Sequence, residues 1–138
     1  MRLSRKSTRR SGAALVEAAI VIPVLLLLLY GIVSGALMVF TADEVSAASR
    51  EGARYASVRG YQYAFYTGRP AATADEIKTE ALSKGVLLDK SKATVTVTWD
   101  VSNREGNYVT VEVKYQWKGI GFFKDKEFVS RSTQLMSY

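Results

Sequence analysis

The chain has 138 residues and a formal charge of +6, and it contains neither cysteine nor histidine. That absence excludes disulfides, thiolate nucleophiles, imidazole bases and the usual zinc sites. The length suits one membrane anchor and one small domain, which must hold together by packing alone or with help from neighbouring subunits. The positive charge does not point to nucleic acid. Arg2, Arg5, Lys6, Arg9 and Arg10 hold nearly all the surplus with no acid among them, and the rest of the chain is close to neutral, with no basic stripe.

Residues 1–11 are basic and polar without apolar periodicity, so a disordered cytoplasmic leader is expected, held inside by the positive-inside rule. Between Glu17 and Asp43 no residue is charged. Some 25 residues at about 1.5 Å each reach roughly 38 Å, enough to cross a hydrocarbon core of about 30 Å. The lipid bilayer is therefore the first expected partner. Pro23 inside this run removes a backbone donor and predicts a modest kink. Gly31 and Gly35, with Ser34 beside them, form a small-xxx-small pattern that lets a second helix approach. An ordinary secreted protein, cut at Ser34-Gly35-Ala36, is an alternative reading, but the apolar run is longer than such a signal and continues past that point.

From residue 41 the chain turns polar without a break. Val45, Ala48, Gly52, Tyr55 and Ala56 recur at helical spacing, which predicts one helix over 13–58, membrane-buried first and amphipathic afterwards. Its small face, Ala47, Ala48, Gly52 and Ala56, is expected to receive the folded domain or a partner helix. Glu51 and Arg54 stand three apart and can pair across one turn. Residues 59–72 read as a loop punctuated by Gly60, Gly68 and Pro70, with Tyr61, Tyr63, Phe65 and Tyr66 suited to a membrane interface or to contacts between subunits. Thr73 and Glu76 form a capping box for a short helix over 73–84, with Ile77, Ala81 and Leu82 inward and Gly85 as its stop. Residues 93–101 and 108–117 alternate cleanly around the polar turn 102–107, which predicts an antiparallel hairpin, and 128–136 reads as a third strand. The fold class is α+β: a leader over 1–12, a long helix over 13–58, and a small extracytoplasmic domain over 59–138.

No catalytic constellation is visible. The serines lack a histidine, no glycine loop matches a phosphate cradle, and Asp100, Glu105 and Asp125 lack the alternating ligand spacing of a calcium loop. The expectation is a protein that is not an enzyme, with no cofactor, no metal and no small-molecule substrate.

A basic leader, Gly12, then an acid five positions later at Glu17 and a long apolar helix resemble the class III signal of type IV pilins and pseudopilins. The strings PVLLLLLYGI over 23–32 and ASREGARYA over 48–56 resemble the TadE family, whose members are small pseudopilin-like proteins of the tight-adherence (Tad or Flp) pilus system. Two positions depart from the pattern: Ala18 follows the acid where an aromatic residue is common, and Ala13 is small where many type IV pilins carry a bulky apolar residue. The resemblance implies cleavage between Gly12 and Ala13 by a prepilin peptidase, with Glu17 neutralising the freed amino group. Further implied partners are other pilin or pseudopilin subunits and the Tad secretion machinery, and the implied location is the bacterial inner membrane, with a place in a surface fibre. The competing reading is a single-pass anchored binding or structural domain that is neither processed nor assembled.

Overall fold

The computed structural model describes residues 8–83, 85–86, 88–121 and 123–137. It contains α1 (Thr8–Val58), α2 (Tyr61–Thr67), α3 (Ala74–Ser83), a 3-10 turn (Lys90–Lys92), β1 (Ala93–Trp99), β2 (Tyr108–Trp117) and β3 (Lys126–Leu135). Its contacts divide it into two compact units, Met1–Ala36 and Leu37–Tyr138. The expected α+β class, with a long apolar helix, short helices and a three-stranded antiparallel sheet, is what is found.

Two expectations are corrected. Residues 8–11 of the supposed leader are helical, and residues 1–7 lie outside the described residues. Extending an existing helix needs no new nucleus, so the apolar stretch can propagate backwards into Arg9 and Arg10, which are good helix formers. The second correction concerns 59–72, which encloses α2. Its glycines are caps: Gly60 precedes the helix, and Gly68 ends it at φ 66°, donating its N–H to the Ala64 carbonyl at 3.0 Å. Tyr61 also donates its backbone N–H to the Asn103 carbonyl at 2.8 Å, which fixes where α2 starts.

The sheet has the order β1-β2-β3, antiparallel throughout, with Val111 opposite Val97 on one side and Ser132 on the other. Alternation puts Val109, Val111, Val113, Tyr115 and Trp117 of β2 on one face, all buried, together with Val95 of β1. The capping box of α3 is present: Glu76 accepts the Thr73 N–H at 2.9 Å, and Thr73 Oγ1 accepts the Glu76 N–H at 3.3 Å. Its inward residues Ile77 and Ala81 are buried, with Leu82 packed beside the core. β1 stops two residues short of the expected end because Asp100 already closes the hairpin, donating its N–H to the Tyr108 carbonyl at 3.0 Å. The turn relies on Gly106 at φ 83°, a value L-residues avoid.

The opposite sheet face is polar. Arg131 donates from Nε to Glu112 at 2.7 Å and again from its terminal nitrogen, while Lys114 lies 3.1 Å away. The Arg131 hydrogen bond, then that from Lys114, holds the Glu112 carboxyl below its ordinary value of 4.5. A depressed carboxylate stabilises the fold above its unfolded pKa and loses that contribution as pH falls through the folded one. The side-chain carbon shift of Glu112, followed by NMR on the protein in detergent, should titrate below pH 4.5. Arg131→Ala should move the midpoint back up, and an unchanged midpoint would refute the assignment.

Candidate membrane anchor and packing helix

Among the described residues, most apolar side chains of α1 in the first unit are left exposed. Leu25, Leu26, Leu27, Leu28 and Leu29 are each more than half exposed, as are Leu15, Val16, Ile20 and Ile32. A row of that size in water is a severe liability, whereas hydrocarbon is an ordinary solvent for it. By length, composition and exposure this is a helix suited to a single membrane crossing. Gly12, Ala13 and Glu17 are all exposed on it, one helical turn separating the last two. Among the described residues Glu17 has no hydrogen-bond or ion-pair partner. The helix runs unbroken through Pro23 and through 34–36, the alternative cut site. A Cβ added at Gly31 would meet nothing within 4 Å among the described residues. Gly35 is half-buried and Ser34 buried.

The second unit uses the other end of α1 quite differently. Val45, Ala48, Ser49, Gly52, Ala53, Ala56 and Ser57 are buried, while Ala47, expected on that face, is exposed with Asp43, Arg50 and Arg54. The spacing explains the correction: 45, 48, 49, 52, 53 and 56 follow the i, i+3, i+4 rule, and 47 falls outside it. At Gly52 a Cβ would stand 3.0 Å from Ala81 Cβ and 3.1 Å from Val111 Cγ1. The helix therefore touches α3 and β2 at one point, where even a methyl group would press its neighbours aside by a few tenths of an ångström. Hydrogen bonds extend the contact to β3: Ser49 Oγ lies 2.9 Å from Ser130 Oγ, Ser57 donates to Gln134 Oε1 at 3.3 Å, and Ser57 O accepts the Ser137 N–H at 3.1 Å. Glu44 accepts the Val86 N–H at 2.8 Å and so holds the segment after α3. Sequence reasoning missed these serines and Ala53, although their period was legible. The Glu51–Arg54 pair is present at 4.0 Å.

Beyond α1, the aromatic residues of α2 meet arginines. The Arg59 guanidinium lies 4.4 Å over the Tyr55 ring and 5.7 Å over that of Tyr63, and Arg104 lies 5.0 Å over Tyr61. Phe65 and Tyr66 remain open to solvent.

These features suit a single-pass membrane anchor in the first part of α1, while its second part is the central packing element of a small α+β unit. Residues 12–54, a segment that spans both uses of α1, match the family described as TadE-like protein. No curated protein and no solved structure matches the chain.

Gly52→Leu should force α3 and β2 apart and lower stability by about 1–3 kcal/mol, the usual cost of overpacking. Thermal loss of the near-ultraviolet circular dichroism of Trp99 and Trp117 in detergent measures it, with exposed Arg50→Ala as the control. Equal melting of both variants would show that the contact is loose.

Proposed function

We propose that the chain is a pseudopilin-like subunit acting in the assembly of a Tad/Flp-type pilus, held in the bacterial inner membrane with its N-terminus in the cytoplasm and residues 59–138 outside. The observation that carries this reading is the family match over 12–54, which joins the Gly12–Ala13 junction, Glu17 and the uncovered apolar helix in one segment. The protein acts as a building part rather than an enzyme. A prepilin peptidase cuts after Gly12, removes the basic leader and frees the α-amino group of Ala13. Gly12 lies in the second turn of α1, and a peptide bond must leave the helix to be cut. Glycine weakens a helix interior by about 1 kcal/mol relative to alanine, so it eases that opening.

Once the amino group is free, lateral packing of anchors brings it beside Glu17 of a neighbouring helix. A carboxylate one turn inside an apolar helix is costly alone and worth most when paired, because the low dielectric strengthens attraction to an opposite charge. Gly31 supports this packing by leaving backbone accessible to a second helix. Subunits joined this way initiate or cap a fibre and do not require the folded units to change shape.

Two experiments test the reading. Protein recovered from its native membrane should begin at Ala13, and Gly12→Leu should leave a heavier band; a mature chain beginning at Met1 or Leu37 would exclude prepilin-type processing. Separately, Glu17→Gln keeps the size and hydrogen bonding of the side chain. It should leave membrane levels intact while crosslinked oligomers and surface fibres fall. Normal fibres at normal protein levels would reduce Glu17 to an interfacial acid and remove the pairing mechanism.

A further inference from the structure

Within the unit Leu37–Tyr138, α1 and β3 run in the same direction, because Ser49 meets Ser130 and, eight helical residues later, Ser57 meets Gln134. Lys126 lies four residues before Ser130, a distance of about 13 Å at roughly 3.3 Å per strand residue. A helix rising about 1.5 Å per residue covers that length in about nine residues, back to about residue 40. The described residues of the β2–β3 hairpin, 118–121 and 123–125, are therefore level with the start of this unit's share of α1. Packing agrees: Met38 belongs to the same cluster as Trp117 and Phe128, whose rings lie 6.3 Å apart at the base of the hairpin. The register Ala93↔Tyr115 brings the Lys90–Lys92 turn to the same end. On α1 itself, Leu37, Val39 and Phe40 are exposed there, and no charge appears before Asp43.

The hairpin tip is apolar and basic. Ile120 and Phe123 are exposed, and so are Lys118, Lys124, Lys126 and, on the neighbouring turn, Lys90. Five lysines, Lys90, Lys92, Lys118, Lys124 and Lys126, stand against three acids, Asp89, Asp125 and Glu127, so the cluster keeps a surplus of two positive charges while the acids are tied to neighbours within it. Asp125 accepts the Gly119 N–H at 2.8 Å, Glu127 accepts from Gln116 at 2.7 Å, and Asp89 is held by Ser91 and by Lys92 at 3.2 Å. The tip has a defined shape: Phe123 donates its N–H to the Ile120 carbonyl at 3.3 Å, Gly121 adopts φ 65°, and a Cβ at Gly119 would collide with the Phe123 carbonyl.

We infer that this hairpin is a second membrane contact, resting on the anionic lipid headgroups where α1 leaves the bilayer. The inference rests on the membrane-anchor reading of α1. The uncharged stretch of roughly 38 Å exceeds a core of about 30 Å by some five residues, which places 38–42 at headgroup level, beside the tip. At that depth aromatic and aliphatic side chains settle at the edge of the acyl region, and lysine stems extend so that their ammonium groups reach phosphates. A second contact at the tip sets which face of the sheet looks along the membrane.

The absence of cysteine lets single cysteines carry a nitroxide without competing sites. Full-length Ile120→Cys, Leu27→Cys and Thr98→Cys are labelled and reconstituted into vesicles of phosphatidylcholine, with and without phosphatidylglycerol. Accessibility to oxygen and to a water-soluble nickel chelate then reports depth. The Leu27 label should be deep in both lipids and the Thr98 label aqueous in both. The Ile120 label should shift to headgroup depth when phosphatidylglycerol is present, and Lys118→Gln, Lys124→Gln and Lys126→Gln together should abolish the shift. Near-ultraviolet circular dichroism checks that each variant is folded. An Ile120 label as exposed to nickel as the Thr98 label, with Leu27 deep, overturns the contact and leaves the anchor standing. Equal depth of the Ile120 label in the two lipids, or a shift that survives the triple substitution, overturns the role of the lysines and with it the proposal. A nickel-accessible Leu27 label brings down the anchor reading itself, and the hairpin contact falls with it.

Discussion

The folded unit depends on one close approach. At Gly52 α1 comes against Ala81 of α3 and Val111 of β2, and the next residue, Ala53, is completely buried. Helix and sheet can meet so closely only where the helix carries almost no side chain. The larger core residues, Ile77, Val109, Val111, Val113 and Met136, come from the elements that surround this seam. Interiors packed to crystal-like density transmit displacement rather than absorb it, so the small residues of α1 fix the distance for the whole unit.

The same helix answers two solvents with two compositions. Its first part carries branched aliphatic residues all round and leaves them uncovered. Its second part confines burial to one stripe and gives the rest to charge. Such a division asks little of helix propensity and much of surroundings: one stretch is stable where water is absent, the other where a sheet is present. Polar contact between helix and sheet is made by serines, whose short hydroxyls also bond to carbonyls one turn back, as Ser49 does to Ser46 and Ser57 to Arg54. Ser49 can donate to the Ser46 carbonyl and accept from Ser130, which avoids most of the cost of leaving water, whereas Ser57 shares its one proton between the Arg54 carbonyl and Gln134.

How much of this was legible in the sequence follows from period and composition. The apolar run, the capping box of Thr73 and Glu76, and the alternation of β2 are local patterns, and β2 spans the residues its alternation marks out. The long helix was legible because its charge-free length admits few other structures. What misled was punctuation: Gly60 and Gly68 read as loop markers when they bracket a helix of seven residues. Short helices have little periodicity of their own, and here a tertiary bond, from the Tyr61 N–H to the Asn103 carbonyl, sets the boundary. Ala47 was placed by residue type rather than by angle around the helix, and alanine alone does not distinguish a buried face from an open one. The closeness at Gly52 involves residues of α3 and β2 far along the chain, so no local signal could reveal it.

The meeting of Ser49 with Ser130 joins residues 81 apart, and that of Ser57 with Ser137 joins residues 80 apart. Between them lie two short helices, a 3-10 turn and two hairpins. The chain is thus topologically a clasp, whose two halves are the earliest and the latest parts of the unit to be synthesised. A nascent chain can form the hairpins as they emerge, whereas the contacts of Ser49 and Ser57 with Ser130 and Gln134 need β3 to be present. Loop closure over such a span is the slow entropic step in folding a small domain. Met136, 1 % exposed, is buried at the C-terminal side of that closure.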